Sequence, residues 1–157
     1  MALIGLIADT HDLLRPAALA ALAGVDQILH AGDVCSPAVL AALGRVAPVR
    51  AVRGNNDRGG WAAALPEADV VELGGASILL LHELHRLDAP AAATVSTVVS
   101  GHSHRPRVER RGGLLLVNPG SAGPRRFALP VSVGRLRIEH GVVDAEIVEL
   151  LVDRRRG

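Results

Sequence analysis

The sequence predicts an α/β fold, and two observations carry that expectation. The first third alternates short apolar runs with amphipathic ones, the pattern of parallel strands joined by crossover helices. The second half carries paired apolar runs around glycine turns, the pattern of hairpins. At 157 residues the chain falls within the size of one domain and buries enough surface to fold without staples, so a single domain over 1–157 is expected.

Leu3 to Ala8 reads as a buried strand. A helix follows from about Pro16, with Leu19 and Leu22 on one face and Gly24 as its stop. Gln27 to Ala31 is the second strand. Ser36-Pro37 then sets an N-cap before a first-turn proline and opens a helix through Val39, Leu40 and Leu43 to Gly44. Val49 to Val52 is the third strand. Further on, Val70 to Leu73 and Ser77 to Leu81 flank Gly74-Gly75, a hairpin signal. Val95 to Val99 and Leu114 to Val117 are further strands, and a last hairpin pairs Val131 to Ile138 with Val142 to Leu150, turning near His140-Gly141. The Pro/Ala stretch Asp88 to Ala93 is too short for a linker, there is no internal repeat, and Arg154 to Arg156 is expected to fray.

The apolar fraction of 49% comes from Ala, Leu and Val, with Trp61 and Phe127 the only aromatics, so the core must be aliphatic. Stacking of bases on aromatic platforms is therefore not expected. Sixteen acidic residues face 17 basic ones, all arginine, and this near-neutral balance argues against a general nucleic-acid binder. Cys35 is the only cysteine, which excludes an intramolecular disulfide and fits a reducing compartment. The run Ala2 to Ala8 has no positive leader and breaks at Asp9, and no run is long enough for a bilayer, so a cytoplasmic protein away from membranes is expected.

Polar residues gather where the strands end. Asp9-Thr-His11 follows the first strand, Gly32-Asp33 the second, Gly54-Asn55-Asn56-Asp57 the third, His82 the run ending at Leu81, and Gly101-His102-Ser103-His104 the run ending at Val99. In open α/β sheets ligands bind beyond the carboxyl ends of strands, so clusters far apart in sequence can converge. The candidate ligands are Asp9, His11, Asp33, Asn55, His82, His102 and His104. Their mixed nitrogen and oxygen donors suit Mn, Ni, Zn, Fe or Co, with manganese first and magnesium still open. Seven donors are too many for one four-coordinate ion and suit two ions that share a carboxylate. Asp33, on the middle strand of the three, is the expected bridge, one oxygen to each ion. Two ions about 3.5–4 Å apart can hold a hydroxide and neutralise a phosphoryl oxygen.

Singly, each cluster also reads as an ordinary turn; their joint order after apolar strands favours the functional reading. His30 lies within a strand and is expected to make a core hydrogen bond rather than bind metal. His140 reads as a solvated turn residue, Cys35 as packing under a helix start, and Trp61 as a loop cover.

The strings Asp9-Thr-His11, His30-Ala-Gly-Asp33, Gly54-Asn55-Asn56-Asp57, His82, Gly101-His102-Ser-His104 with Pro106, and Asn118-Pro-Gly-Ser121 resemble the calcineurin-like metallophosphoesterases, specifically their small bacterial and archaeal phosphodiesterases. The resemblance covers residues 9 to about 126. It implies a four-layer αββα sandwich, two mixed β-sheets face to face with helices outside. It also implies Asp9, His11, Asp33 and His104 on one ion and Asp33, Asn55, His82 and His102 on the other.

Two departures bear on substrate. Many members of the superfamily have a proton-donating His after the metal-binding Asn, whereas this chain has Asn56. The loss biases the chemistry toward good or strained leaving groups, aryl or cyclic phosphodiesters, because a missing general acid costs on the order of 10²–10⁴ in rate on poor ones. His82-Glu-Leu-His85 replaces a common His-Gly-His, which leaves His85 as a candidate pocket residue or substitute acid.

The expected activity is a metal-dependent phosphodiesterase acting on a small phosphoester through a metal-activated hydroxide, with Arg53 or Arg105 stabilising phosphoryl charge and Asp57 orienting a neighbour of the metals. The alternatives are a phosphomonoesterase of the same chemistry, a retromer-like protein-binding scaffold whose metal site is degenerate, and a nuclease, which would need a basic track absent here. Homo-oligomerisation stays open.

Overall fold

The first apolar run forms strand β1 (Ala2–Ile7), whose alternate residues face opposite ways: Ile4, Leu6 and the following Ala8 enter one core, Ile7 another. β1 pairs in parallel with β2 (Gln27–His30), and β2 with β3 (Val49–Ala51). Helices α1 (Pro16–Ala21) and α2 (Pro37–Gly44) make the crossovers. Ser36 caps α2 by accepting the Ala38 N–H, and Pro37 stands in its first turn. The computed structural model describes residues 1–152; the fray expected at Arg154 to Arg156 lies outside the described residues.

The Gly74-Gly75 turn joins β4 (Ala68–Leu73) to β5 (Ala76–Leu81), and the final hairpin is β9 (Ser132–Glu139) with β10 (Val142–Glu149). β6 (Thr97–Val99) and β8 (Leu114–Asn118) run parallel to β5. β7 (Arg107–Arg111), unexpected from sequence, pairs with β8 at the sheet edge. The sheets are ordered β10-β9-β1-β2-β3 and β4-β5-β6-β8-β7.

Their inner faces enclose the main core, which joins Leu6, Leu29 and Leu136 to Ile78, Leu80 and Val117. α1 and α2 cover the outer face of the first sheet through Leu22, Val39 and Leu43. Over the second sheet lie a 3₁₀ turn (Leu84–Arg86) and α4 (Ala89–Ala92), which pack Leu84, Leu87 and Ala91 on Leu79, Leu81 and Val98. The result is the expected four-layer sandwich. The Pro/Ala stretch is thus largely helix, with Asp88 capping α4 by accepting the Ala91 N–H at 2.7 Å. Each fully buried Leu or Ile contributes about 1.5–3 kcal/mol, so this aliphatic core suffices without aromatics. Among the described residues no helix is long and apolar enough to cross a membrane.

Candidate metal centre

Parallel pairing puts the carboxyl ends of β1, β2 and β3 side by side, and those of β5, β6 and β8 along the same rim of the facing sheet. The backbone leaves each strand abruptly. Asp9, His11, Asp33, His102 and His104 take positive φ values of 53°, 45°, 57°, 73° and 62°. Each such non-glycine residue costs about 1–2 kcal/mol, and this kind of strain concentrates at functional sites.

All seven expected ligands meet there. Asp9 Oδ1 lies 3.9 Å from His11 Nε2, 3.9 Å from His82 Nε2 and 3.6 Å from His104 Nε2. Asp33 Oδ2 lies 3.6 Å from His11 Nε2 and 3.4 Å from His82 Nε2. Asn55 Oδ1 lies 2.9 Å from His82 Nε2 and 3.2 Å from His102 Nδ1. The sequence suggested one Asp33 oxygen for each ion, but the geometry differs. Oδ1 accepts the Asn56 N–H at 2.8 Å, and Oδ2 alone faces both imidazoles. Gly54 makes this possible, since a Cβ there would sit 2.2 Å from Asp33 Oδ1 and from its backbone nitrogen.

Orientation comes from the surrounding bonds. His30 is fully buried; its Nδ1 accepts the Gly32 N–H at 3.1 Å, so Nε2 carries the proton and meets Thr10 Oγ1 at 3.0 Å. Thr10 in turn donates to the Val34 carbonyl at 3.1 Å, which ties the Asp9–His11 loop to the Asp33 loop. Burial pushes His30 down to about 3, keeping it neutral. His82 Nδ1 donates to the Ala31 carbonyl at 2.8 Å, so its Nε2 faces the centre. Asp57 accepts N–H groups from Asp33, Cys35 and Gly54 at 3.0, 2.7 and 2.8 Å and thereby splints two loops. Asn56 turns its amide onto Asp33 Oδ2 at 2.9 Å.

The two carboxylates carry opposite shifts. Burial raises Asp9 to about 7, against the nearby His82. Burial also opposes ionisation of Asp33, but contact with His82 and two hydrogen bonds from Asn56 outweigh it and hold that carboxyl below its usual range. His104 is pushed down to about 4, first by burial and then by Arg126, and burial lowers His11. Burial opposes protonation of His82, yet Asp33 raises it above the ordinary imidazole value.

Asp9 Oδ1 and His11 Nε2 are buried without a hydrogen-bond partner among the described residues. Unpaired buried polar atoms are costly, and these two point at one another's cluster. Asp9, His11 and His104 form one group whose donor atoms lie within 4.8 Å of each other, and Asp9, Asp33 and His82 form a second. The donor set therefore fits two divalent ions, with Asp9, His11 and His104 able to hold one and Asn55, His82 and His102 beside Asp33 the other.

The other candidates sit around this centre. Arg53 pairs with Glu67 at 2.9 Å and lines a cleft of about 380 Å³ with Asn55, His82 and Arg86. His85, largely exposed and 3.1 Å from Glu83, lines a cleft of about 240 Å³ with His102. Arg105 is exposed. Cys35 Sγ lies 3.8 Å from His11 Nδ1, and burial followed by Asp57 pushes its thiol up to about 11, so it stays neutral at physiological pH. Trp61 packs from α3 (Gly60–Ala63) onto the α1–α2 core, and His140 occupies an exposed turn. Arg126, whose charge bears on Asp9, His11 and His104, was not singled out by sequence. Nothing distinguishes it there from the other 16 arginines.

A two-sheet sandwich with Asp and His donors at its strand ends is the architecture expected of a metal-dependent phosphoesterase. A family model described as the calcineurin-like phosphoesterase superfamily domain matches residues 2–141, and the chain belongs to that superfamily. It is 35% identical to a probable metallophosphoesterase of Methanothermobacter thermautotrophicus, over 93% of this chain and 91% of that protein. Its fold is similar to that of a novel archaeal phosphodiesterase (TM-score 0.77, 22% identity, 93% of this chain and 99% of that one). It is also similar to wild-type Vps29 of Entamoeba histolytica complexed with zinc (TM-score 0.74, 25% identity, 94% and 98%).

Proposed function

We propose that the protein is a dinuclear phosphodiesterase for small diesters of aryl or cyclic type, with manganese as its preferred ion. The observation that carries this reading is the convergence of seven competent donors, with Asp9 Oδ1 and His11 Nε2 buried and, among the described residues, unpaired. When bound, the two ions supply a hydroxide nucleophile at neutral pH and neutralise charge on the phosphoryl group.

The chain's own residues do the rest. Asp33, whose Oδ2 lies between His11 and His82, would be the donor shared by the two ions. Asn56 and Asp57 fix the loops that present it, and the Thr10–His30 link keeps Asp9 and His11 in register with Asp33. Arg53 lines the cleft on the Asn55 side, where it offers charge to a nonbridging oxygen. Asn56 is committed to Asp33 and carries no labile proton for a leaving alkoxide, which favours substrates whose leaving group departs unaided. His85, on the cleft beside His102, meets the departing group.

The test is hydrolysis of an aryl phosphodiester by metal-stripped protein resupplied with Mn, Ni, Zn or Mg, alongside His104→Ala. Metal-restored turnover that the variant loses is expected, with the monoester cut more slowly. A protein that takes up metal yet cuts neither ester would instead match the scaffold reading, which the likeness to zinc-bound Vps29 favours.

A further inference from the structure

The candidate ligands differ in exposure. Asp9, Asp33, His82 and His104 are buried, whereas Asn55 and His102 are exposed and stand 3.2 Å apart through Asn55 Oδ1 and His102 Nδ1. The centre therefore opens on the Asn55–His102 side, and two clefts adjoin that opening. One, of about 380 Å³, is lined by Asn55 and His82; the other, of about 240 Å³, is lined by His102. The 3₁₀ turn Leu84–Arg86 contributes to both, with Arg86 lining the first and His85 the second. A single oxygen, Glu83 Oε2, holds the two side chains: it lies 3.1 Å from His85 Nε2 and 3.5 Å from Arg86 Nε, on a side chain only 14% exposed.

The larger cleft, of a size that suits a small ligand, has a definite chemistry. Arg53 and Arg86 supply donors, Glu67 and Glu83 supply acceptors, and each arginine is paired with one of these glutamates. A hydroxyl group both donates and accepts, so it can join such a pair without upsetting its charge balance. A second anionic group is opposed by the two glutamates and by Asp57, which also lines the cleft. An aromatic arm meets neither Trp61 nor Phe127 there, and only Ala68 and Leu81 as apolar lining.

We propose that this cleft is the subsite for the retained arm of the diester, that it selects an alcohol bearing vicinal hydroxyls, of glycerol or sugar type, and that Arg86 determines the preference. That selectivity rests on the phosphodiesterase reading above and deepens it, because a diester has two arms to place. In hydrolysis the bond from phosphorus to one arm breaks; water gives its hydroxyl to phosphorus and its proton to the departing oxygen. The departing arm lies in the cleft of His85 and His102, and the retained arm stays on the phosphomonoester product in the cleft of Arg53 and Arg86.

The test holds the departing group constant and varies the other arm. Manganese-loaded wild type, Arg86→Ala and His85→Ala are given p-nitrophenyl phosphodiesters whose second arm is glyceryl, ribosyl, carboxymethyl, phenyl or methyl, and kcat/KM is measured for each. Wild type is expected to favour the better hydroxylated arm over methyl by about tenfold, with glyceryl and ribosyl compared directly to tell a glycerol site from a sugar site. Arg86→Ala should reduce that ratio to about twofold or less, and His85→Ala should keep it, since each residue serves a different arm. Preference for the phenyl or carboxymethyl arm, a wild-type ratio within about twofold of unity, or a ratio that survives Arg86→Ala would overturn the proposal. So would a ratio that His85→Ala abolishes equally. Wild-type protein that binds manganese but cuts no ester overturns the diesterase reading, and calorimetry then decides the subsite. Glycerol 3-phosphate or ribose 5-phosphate should bind about tenfold more tightly than methyl phosphate to wild type, and no more tightly to Arg86→Ala; equal binding by wild type overturns the subsite as well.

Discussion

Asp9 and Asp33 end adjacent parallel strands, are both buried, and face the same imidazoles, yet their carboxyls behave oppositely. Among the described residues, Asp9 accepts one hydrogen bond, from the His102 N–H at 3.0 Å to Oδ2, and its Oδ1 has no partner. Asp33 accepts two from Asn56 and lies against His82. Burial penalises both anions; the number of donors decides which stays ionised. Without metal, Asp9 at the end of β1 is only partly ionised near neutral pH, whereas Asp33 at the end of β2 is held as the anion beside His82. One half is primed by an unmet need and the other by preorganisation.

The largest test of that contrast is a pair of substitutions. Asp9→Asn and Asp33→Asn should both reduce aryl diester hydrolysis by on the order of 10³ or more, since each removes a donor shared by the cluster. Their effects on the metal-free fold should have opposite signs. Asp9, raised from 3.8 to about 7, contributes stability that is complete below pH 3.8 and lost as pH rises through 7. Asp9→Asn should therefore stabilise the stripped protein above pH 7, by about 2–4 kcal/mol, and do nothing near pH 4. Asp33, with a lowered pKa, contributes stability present above its unfolded value and lost only as pH falls through the folded one. Asp33→Asn should destabilise the stripped protein at neutral pH. Denaturant titrations at pH 4 and 8 give both signs, and equal signs would break the comparison.

A smaller effect concerns protons. Metal entering the centre must displace the proton on Asp9 and that on His82, whose pKa is also raised. Calorimetry at pH 6 in buffers of different ionisation enthalpy should record close to two protons released per two ions, declining as pH rises past 7. Asp9→Asn should remove one of them. Release unchanged in that variant would mean that Asp9 was ionised already.

The seven donors were legible in sequence because a polar cluster directly after an apolar strand is a local pattern, and strand order alone brings such clusters together. What escaped was whatever depends on a side chain's direction. Asn56 reads as a missing acid, and only coordinates show it holding Asp33. Asp33's choice of one oxygen follows from the Gly54 approach, which no spacing encodes. β7 was missed because Arg-Val-Glu-Arg-Arg carries one apolar residue, as an edge strand can when charge protects it from pairing with other chains. The left-handed ligands gave a faint signal, in that Asp tolerates αL, but three histidines there were not foreseeable.

Asn56→Ala tests the preorganised half more gently. The backbone N–H to Asp33 Oδ1 survives, and only the 2.9 Å amide bond to Oδ2 is lost. Metal affinity should fall about 10–100-fold, the usual range for a group that orients a ligand, with Asp33 shifting back toward its ordinary pKa. Chelator competition measures it, and unchanged affinity would show that His82 and the backbone N–H suffice to keep Asp33 ionised.

The smallest expected effect lies at the rim. His85 is 3.1 Å from Glu83 and largely exposed, so it touches neither carboxylate and its removal should leave metal content and the Asp9 and Asp33 titrations intact. Because it shares a cleft with His102, it can act only on a part of the substrate that extends into that cleft. His85→Ala should then raise KM about two- to fivefold for a bulky aryl diester at constant kcat, which is loss of uniform binding. A fall in kcat that grows with the pKa of the leaving alcohol would instead make His85 the proton donor that Asn56 is not. The departing oxygen would then lie on the His102 side of the centre.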